Sequence, residues 1–248
     1  MIDKNIKNIF NKNCYDFFHI ETTSSTMYDV KNYIKKNKKN CIYLYDKQTN
    51  GKGQRGNFWH SPIGNVYCSI SFNNFLHVKE HFLFSVLVAL SVKKSLENFN
   101  AKNIFFKWPN DIFFKKKKFG GIISEILNIH HKSYVIVGFG INIESSPQLL
   151  NYKTTFAKYF SNIKTKEDFL SFFFKQLFFY LSELKEGKKK YLMNEFSKSL
   201  LLFNEKISIA QYDKEKNIGI FRGINDDGSL RLEKNGNIEN IYNGSIKI

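Results

Sequence analysis

Apolar and polar residues follow two different spacings along this chain, and each spacing predicts one kind of secondary structure. Alternating or continuous apolar runs are typical of strands, whereas apolar residues that recur every three to four positions are typical of helices. The predicted strands before residue 204 are 17–20, 41–45, 66–72, 103–107, 112–114, 120–125 and 133–143. The predicted helices are 27–34, 81–99, 166–184 and 188–202, with a hairpin turn at 115–118 and an irregular loop at 144–156.

The pattern changes to short strands and tight turns near the end of the chain. Asp226-Asp227-Gly228 and Lys234-Asn235-Gly236-Asn237 are both typical hairpin turns. The strands predicted here are 206–211, 218–224, 229–234 and 238–242. A stretch of about 45 residues built in this way predicts a small β-barrel. We therefore predict two domains, 1–203 and 204–248, with the boundary between Phe203 and Asn204.

The stretch 51–62 concentrates glycine and positive charge between two predicted strands. It contains Gly51, Gly53 and Gly56, the cations Lys52 and Arg55, then Trp59 and Pro62. Glycine allows the backbone to approach a ligand closely, and successive N–H groups in such a turn can hold an anion. The stretch predicts a loop that closes over a phosphate or a carboxylate, although a glycine hairpin without a ligand is an alternative. A dinucleotide-binding turn is disfavoured, because no helix follows the glycines and no acidic residue lies about 20 positions later.

Two other motifs allow both a structural and a functional interpretation. The hydroxyl-rich segment 22–26 precedes a predicted helix, so one hydroxyl is expected to cap that helix. The remaining hydroxyls could bind a small polar ligand, and capping alone is an equally open explanation. The segment 77–81 matches the His-x-x-Glu-His pattern of a class of zinc peptidases. It has no further ligand pattern, and we interpret it as the solvated start of a helix.

Composition narrows the class of protein. The chain has 248 residues and a net charge of +16, which favours acidic partners and would attract nucleic acid non-specifically. Only 3 prolines accompany 26 phenylalanines and many Lys, Asn and Ile residues, so a codon bias explains much of that charge. The 3 cysteines are far apart and fit a reducing compartment. With neither a signal peptide nor a membrane span in the pattern, we expect a cytoplasmic protein without membrane contact.

Four separated patterns resemble those of the biotin protein ligases. They are Ser25-Thr26; Gln48 with the loop Gly51-x-Gly53-x-Arg55-Gly56 and Trp59-x-Ser61-Pro62; Lys107-Trp108-Pro109-Asn110-Asp111 with Lys118-x-x-Gly121-Ile122; and Gly138-x-Gly140-Ile141-Asn142. The segment 221–228 resembles the small SH3-like domain of that family. The resemblance implies an α+β fold, with a mixed β-sheet and flanking helices of the class II synthetase-like, biotin–lipoate ligase type. A small C-terminal SH3-like β-barrel would follow.

The resemblance also implies a function. Members of this family activate biotin with ATP to biotinyl-5'-AMP and then transfer biotin to one lysine of a biotin carboxyl carrier protein, as in acetyl-CoA carboxylase. ATP and Mg²⁺ are the implied cofactors, and biotin and the carrier protein are the implied substrates. Family members include monomers and homodimers.

Individual residues receive roles by the same resemblance. The implied catalytic residues are Lys118, Asp111 and Arg55. The implied biotin-binding residues are Ser25, Thr26, Gln48, Gly51, Lys52, Gly53, Gln54, Arg55, Gly56, Lys118, Gly121 and Ile122. The implied ATP-binding residues are Lys52, Arg55, Trp59, Asn110, Asp111, Lys118 and Asn142. Lys118 would bridge the biotin carboxylate and the α-phosphate, and Asp111 would hold Lys118 or Mg²⁺. Trp59 would pack on adenine, and no metal ligand is firmly assigned.

This sequence departs from the family pattern at several positions. Lys52 and Gln54 stand where arginine is frequent, and Met27 stands where asparagine is frequent. The basic residue that some members carry at the C-terminus is expected to be absent. The chain before Phe17 is too short for the helix-turn-helix domain of repressor-type ligases, so we expect no operator binding.

Two alternative functions are considered: a ligase for another substrate, lipoate, and a protein of another class, a nucleic-acid-binding module. A lipoate ligase shares the architecture, but its usual Arg-Arg, Gly-Gly-Gly and His loop is absent from this sequence. A nucleic-acid-binding module would need exposed aromatic residues interleaved with cations. The C-terminal segment offers only Tyr212, Phe221 and Tyr242 as aromatic residues, among charges of both signs.

Overall fold

The structure, a computed structural model, describes residues 4–148, 153–210 and 217–247. Its helices are α1 (Lys4–Lys12), α2 (Thr26–Asn37), α3 (Phe82–Glu97), α4 (Ala157–Phe160), α5 (Lys166–Lys185) and α6 (Lys189–Ser197). Its strands are β1 (Asp16–Thr23), β2 (Cys41–Gln48), β3 (Val66–Asn73), β4 (Ile104–Lys107), β5 (Asp111–Phe114), β6 (Lys117–Ile129), β7 (Lys132–Ile141), β8 (Lys206–Ala210), β9 (Asn217–Ile224), β10 (Leu230–Lys234), β11 (Asn237–Ile241) and β12 (Ser245–Ile246). The predicted loop at 144–156 and the predicted strand end at Gln211 lie partly outside the described residues.

The first sheet contains seven strands in the order β1-β2-β3-β7-β6-β5-β4. Strands β1 and β2 run parallel, and the other neighbours run antiparallel, so the sheet is mixed. This arrangement confirms the mixed sheet with flanking helices predicted from the sequence. The register places Gly140 of β7 between Gly121 of β6 and Tyr67 of β3. Gly121 and Gly140 are therefore neighbours on adjacent strands, and we call this side-chain-free pair the glycine strip.

Helices cover the two faces of this sheet unequally. Helix α3 is buried on most of its surface and packs between the sheet and helix α5. The aromatic face predicted for α5 is buried at Phe169, Phe173 and Tyr180, while Phe172 is only half-buried. Helix α2 packs on the other face through Met27 and its neighbours. Trp59 covers the same face at Gly140.

Helix α1 is not among the predicted elements, because many lysines and asparagines surround its few apolar residues. Ile6 and Phe10 lie four residues apart and are both buried. The Phe10 ring stacks on Phe17 at 4.8 Å and meets the edge of Phe174 at 4.7 Å. This amphipathic turn therefore joins the core despite its polar composition.

The helix predicted at 188–202 ends earlier, at Ser197. Phe106 of the edge strand β4 donates its N–H to the Ser199 carbonyl (2.7 Å) and accepts from Leu201 N–H (2.9 Å). These bonds require an extended backbone beside β4, so the chain leaves the helix before Leu200. The prediction of a longer helix is wrong, because this pairing is a long-range contact that local spacing does not reveal.

The second sheet contains five antiparallel strands in the order β11-β10-β9-β8-β12. It is consistent with the predicted SH3-like domain, although in the described residues it is an open antiparallel sheet and not a closed barrel. Its last strand is only two residues long and pairs with β8 alone. The Trp108 indole N–H donates to the Gly228 carbonyl at 2.9 Å, which ties this sheet to the first. The boundary between residues 203 and 204 stays a prediction.

None of the helices formed by the described residues combines the length and the apolar character that a bilayer crossing requires.

Candidate active site

A cavity of about 980 Å³ lies on the α2 side of the first sheet. It is bounded by α2, by the loop 51–62, which we call the glycine loop, and by the C-terminal sheet. Twelve of the residues assigned from the sequence line it: Ser25, Thr26, Gln48, Lys52, Gly53, Gln54, Arg55, Trp59, Asn110, Asp111, Lys118 and Gly121. These residues come from distant parts of the chain, so the fold brings together the separate patterns seen in the sequence.

Four assigned residues do not line this cavity. Gly51 and Gly56 border a neighbouring cavity on the outer side of the glycine loop. Ile122 is buried in the core, and its backbone N–H donates to the Asn110 carbonyl at 2.8 Å. Asn142 is also buried and donates its side-chain amide to the Thr155 carbonyl at 3.2 Å. Any role of these four would be exerted through the backbone or through neighbours.

Lys118 and Asp111 form the charged centre of the cavity. The Lys118 ammonium lies 2.5 Å from the Asp111 carboxylate, and the Lys107 ammonium lies 3.8 Å from its other oxygen. All three side chains are mostly buried, and all three line the cavity. One carboxylate thus holds two ammonium groups beside the space that a substrate would fill.

A β-bulge aims Lys118 into the cavity. Residues 118 and 121 are three apart, so a regular strand would place them on opposite faces. The pairing of β5 with β6 shifts register between Ile112 and Phe113, which leaves Phe119 as the extra residue. Phe119 and Gly120 consequently both face the core, and Lys118 and Gly121 both line the cavity.

Neighbouring backbone fixes the position of Lys118. Its N–H donates to the Lys153 carbonyl, and its carbonyl accepts from Thr155 N–H, both at 2.9 Å. The described residues Lys153 to Thr155 therefore run beside β6, where a plain surface loop was predicted. Thr155 is buried as a consequence.

Positive charge dominates the cavity wall. Its cations in the described part of the chain are Lys52, Arg55, Lys107, Lys116, Lys118, Lys153 and Lys247, against the single carboxylate Asp111. Burial lowers the pKa of Lys107; the Asp111 carboxylate opposes this shift, and the charges of Lys118 and Lys247 add to it. The excess of these cations over the one described carboxylate makes a cavity that favours a polyanion.

The other end of the cavity is polar and uncharged. Ser25 occupies the N-cap position of α2, but its side chain makes no capping bond. The Thr26 N–H instead donates to the Gln48 side-chain oxygen at 3.0 Å, so the predicted hydroxyl cap is wrong. The Ser25 hydroxyl is buried and has no hydrogen-bond partner among the described residues. A buried polar atom without a partner costs free energy, which a ligand bound here would recover.

Trp59 lies flat on the glycine strip of the sheet. A Cβ atom at position 140 would lie 2.4 Å from the indole nitrogen, and one at position 121 would lie 3.2 Å from the ring. Only glycine at position 140 permits this approach. The Lys118 ammonium lies 5.3 Å from the ring centre, within cation–π range. The indole N–H is buried and unpaired in the described structure, so it too can serve a ligand.

The glycine loop is a small closed hairpin that reaches the second sheet. Residues 52 and 58 form an antiparallel bridge, and the Gly53 N–H donates to the Asn57 carbonyl at 2.7 Å. At the tip, Arg55 adopts a left-handed backbone with φ of 60° and donates to the Gly244 carbonyl. The loop is therefore held against Gly244, the residue directly before β12.

Sequence reasoning missed several residues of the cavity wall. They include Met27, Lys107, Lys116, Phe139, Lys153 and Lys247. Lys107 could have been found, because it begins the motif that contains Asp111. A basic side chain near the C-terminus was expected to be absent, but Lys247, the residue directly after β12, lines the cavity. No local pattern connects that strand to the cavity.

The described residues contain no group of three or more His, Cys, Asp or Glu side chains that could hold a metal ion by themselves. The segment 77–81 forms a capped 3₁₀ turn directly before helix α3, in agreement with the predicted helix start: His77 accepts from Lys79 N–H at 3.3 Å, and Glu80 accepts from His77 N–H at 3.2 Å.

Comparison with protein families gives a match that covers half of the chain. The model of the Biotin/lipoate A/B protein ligase family matches residues 19–142. This range contains most of the assigned cavity residues, including Ser25, Trp59 and Lys118.

Similar proteins were found by sequence and by structure. The bifunctional ligase/repressor BirA of Bacillus subtilis is 26% identical over 220 residues, which are 84% of this chain and 66% of the relative. The BirA of Escherichia coli is 26% identical over 214 residues, 84% of this chain and 65% of the relative. The chain thus spans about two thirds of the length of these curated relatives. The biotin protein ligase of Aquifex aeolicus, solved with biotin and ATP, superposes with a TM-score of 0.75 at 22% identity and covers 94% of this chain and 97% of that chain.

Proposed function

Since this chain belongs to the biotin/lipoate A/B protein ligase family, we propose that it is an ATP-dependent biotin protein ligase. It would join biotin and ATP to biotinyl-5'-AMP and release diphosphate. It would then transfer the biotinyl group to a lysine of a biotin carboxyl carrier domain. The two BirA relatives, which match 84% of this chain, are themselves named as ligases.

The observation that carries this proposal is the division of the cavity into two chemically different ends. One end holds the unpaired Ser25 hydroxyl with Thr26 and Gln48, which suits a neutral polar ring such as the ureido group of biotin. The other end holds Lys107 and Lys118 around Asp111, with further cations at the rim, which suits a triphosphate. The glycine strip and Trp59 lie between the two ends.

In the first step, a carboxylate oxygen of biotin attacks the α-phosphorus of ATP. The new O–P bond forms as the bond from the α-phosphorus to the bridging oxygen breaks, and diphosphate leaves with the electron pair. Lys118 would stand between the two reacting anions, where its charge offsets their repulsion and stabilises the charge that develops in the transition state. Asp111 orients that ammonium before the substrates arrive.

In the second step, the neutral amine of the acceptor lysine attacks the carbonyl carbon of the adenylate. The N–C bond forms, the C–O bond to phosphate breaks, AMP leaves with the electron pair, and the amine proton passes to solvent. Cations near the cavity lower the pKa of an incoming lysine and so favour its neutral form. The loop held over the cavity would limit hydrolysis of the adenylate by water.

Magnesium fits this site as a companion of ATP. Mg²⁺ is commonly bound by one or two carboxylates together with substrate phosphates, and Asp111 is a carboxylate in the described cavity wall. Bound there, it would neutralise phosphate charge during the first step. The phosphates of ATP would supply further oxygen ligands to the ion.

The test is ATP–pyrophosphate exchange by the purified chain with biotin, with lipoate, or with neither. Exchange that requires biotin supports the proposal. Exchange with lipoate alone would make the chain a lipoate ligase, the alternative that shares its family. No exchange with either acid, together with salt-sensitive binding of RNA or DNA, would favour the nucleic-acid alternative.

A further inference from the structure

A continuous chain of hydrogen bonds joins the cavity floor to the stem of the glycine loop. The hydroxyls of Ser69 and Thr26 lie 2.7 Å apart, and the Thr26 N–H donates to the Gln48 oxygen at 3.0 Å. The Gln48 amide donates to the Ser61 hydroxyl at 3.2 Å, and that hydroxyl donates to the Trp59 carbonyl at 3.1 Å. Strand β3, the start of helix α2, the end of β2 and the loop are thereby linked.

Ser61 is the loop residue whose side chain bonds to Gln48 at the end of β2. Its hydroxyl uses its single proton toward Trp59 and a lone pair toward Gln48, so both of its roles are filled. The residue is 8% exposed. A Cβ atom at position 51 would lie 2.5 Å from the Trp59 carbonyl and 3.0 Å from the Ser61 hydroxyl, so glycine is required where the loop closes.

We propose that Ser61 is a positioning residue that sets the Gln48 amide and the Trp59 backbone relative to each other, and so couples the biotin-binding end to the loop. This inference rests on the proposed function. Ser61 itself does not line the cavity, whereas Gln48 and Trp59 do. Its effect on a ligand must therefore be indirect.

The loss of this hydroxyl has a defined consequence. Without it, the Gln48 amide loses an acceptor and the Trp59 carbonyl loses a donor in a mostly buried region. The amide is then free to rotate away from Thr26, and the indole loses one constraint on its place over Gly140. Because the polar end of the cavity is disturbed and Lys118 is not, biotin binding suffers more than ATP binding.

Ser61→Ala tests the proposal, with Ser91→Ala as the matched control. Ser91 is another fully buried serine, and its hydroxyl donates to the Leu87 carbonyl within helix α3 at 2.6 Å, away from the cavity. In the exchange assay, Ser61→Ala is expected to raise the KM for biotin about tenfold, the loss of one buried hydrogen bond, with the KM for ATP changed less than about twofold. Ser91→Ala is expected to leave both values unchanged.

A double-mutant cycle with Gln48→Met separates positioning from a general loss of structure. A methionine at position 48 keeps the length of the side chain but makes no amide hydrogen bond to Thr26 or Ser61. If Ser61 acts through Gln48, adding Ser61→Ala to Gln48→Met causes little further rise in the KM for biotin. Equal values for Ser61→Ala and Ser91→Ala, or fully additive effects in the cycle, would overturn the inference. An unchanged protein without biotin-dependent exchange would instead refute the proposed function.

Discussion

The Lys118 ammonium lies 2.5 Å from the Asp111 carboxylate, and the two groups form the charged centre of the cavity. The two residues lie on neighbouring strands, and a bulge at Phe119 turns the lysine to the side of the aspartate. A cation that is fixed in advance needs little reorganisation when anions meet. This preorganisation is the structural basis of the proposed chemistry.

The C-terminal strand is expected to contribute to ATP binding through Lys247. This exposed lysine lines the cavity and is close enough to lower the pKa of Lys107. Lys247→Gln should raise the KM for ATP about fivefold in the exchange assay, since an exposed charge contributes at most about 1 kcal/mol. The KM for biotin should not change. Lys206→Gln, at an exposed lysine of β8 that does not line the cavity, is the control, and an equal effect of both changes would contradict this role.

Trp108 is expected to stabilise the contact between the two sheets. Trp108→Phe removes the hydrogen bond to Gly228 and leaves a small void, so the free energy of unfolding should fall by about 2 kcal/mol. Urea unfolding followed by circular dichroism measures this change. Tyr242→Phe, at an aromatic residue that is 70% exposed, should change the same free energy by less than about 0.5 kcal/mol. If Trp108→Phe lowered the free energy of unfolding by as little as Tyr242→Phe, the proposed role of Trp108 between the two sheets would be contradicted.

The three cysteines are expected to differ in reactivity. Burial raises the pKa of the Cys41 thiol to about 12, and burial together with Cys41 raises the pKa of the Cys68 thiol. Cys14 is exposed. Ellman's reagent near neutral pH should therefore titrate one thiol in the native protein and all three in denaturant, because the thiolate is the reactive form. In Cys14→Ser no thiol should react rapidly before unfolding, and rapid reaction of that variant would refute the assignment.

Acid is expected to weaken the contact of Asp46 with helix α5. Burial by itself would raise the pKa of the Asp46 carboxyl, but hydrogen bonds from Lys166 and His19 outweigh it and lower the pKa. The ionised Asp46 carboxylate therefore contributes its full stabilisation above the unfolded pKa of about 3.9. This stabilisation is lost as the pH falls through the lower pKa of the folded protein.

Lys166→Met should consequently destabilise the protein at about pH 7 and have a smaller effect at about pH 2, because protonation of the aspartate at low pH weakens its ion pair with Lys166. Urea unfolding at the two pH values measures the difference. Lys190→Met, at an exposed lysine of α6, should show no such dependence. An effect of Lys166→Met that is equal at both pH values would contradict a lowered pKa for Asp46 in the folded protein.

The sequence predicts local structure well where residues close together along the chain determine it. The hairpin around Lys115–Lys118 places Asp111 opposite the strand that carries Lys118, and the seven-residue spacing already indicates that the two residues lie close together. The glycine loop and the hydroxyl-rich turn are also recognisable from composition alone. The comparisons confirm the family and fold that these motifs indicate.

Features that depend on distant contacts were not predictable in this way. The bulge at Phe119 follows from the core that buries this ring, and the early end of α6 follows from pairing with Phe106. The place of Lys247 depends on how the second sheet docks onto the first. Ser61 belongs to the motif, but only the structure shows that its hydroxyl links Gln48 to Trp59.

The most direct test of the proposed chemistry is the formation of biotinyl-5'-AMP from biotin and Mg-ATP, followed by mass spectrometry in a single turnover. Lys118→Met is compared with the control Lys117→Met. The ammonium of Lys117 lies 5.5 Å from the centre of the Tyr159 ring, and this lysine does not line the cavity. We predict that the unchanged protein and Lys117→Met form the adenylate at similar rates, while Lys118→Met is slower by a factor of about 100 to 1,000. Adenylate formation at an undiminished rate in Lys118→Met would contradict the central role of this lysine.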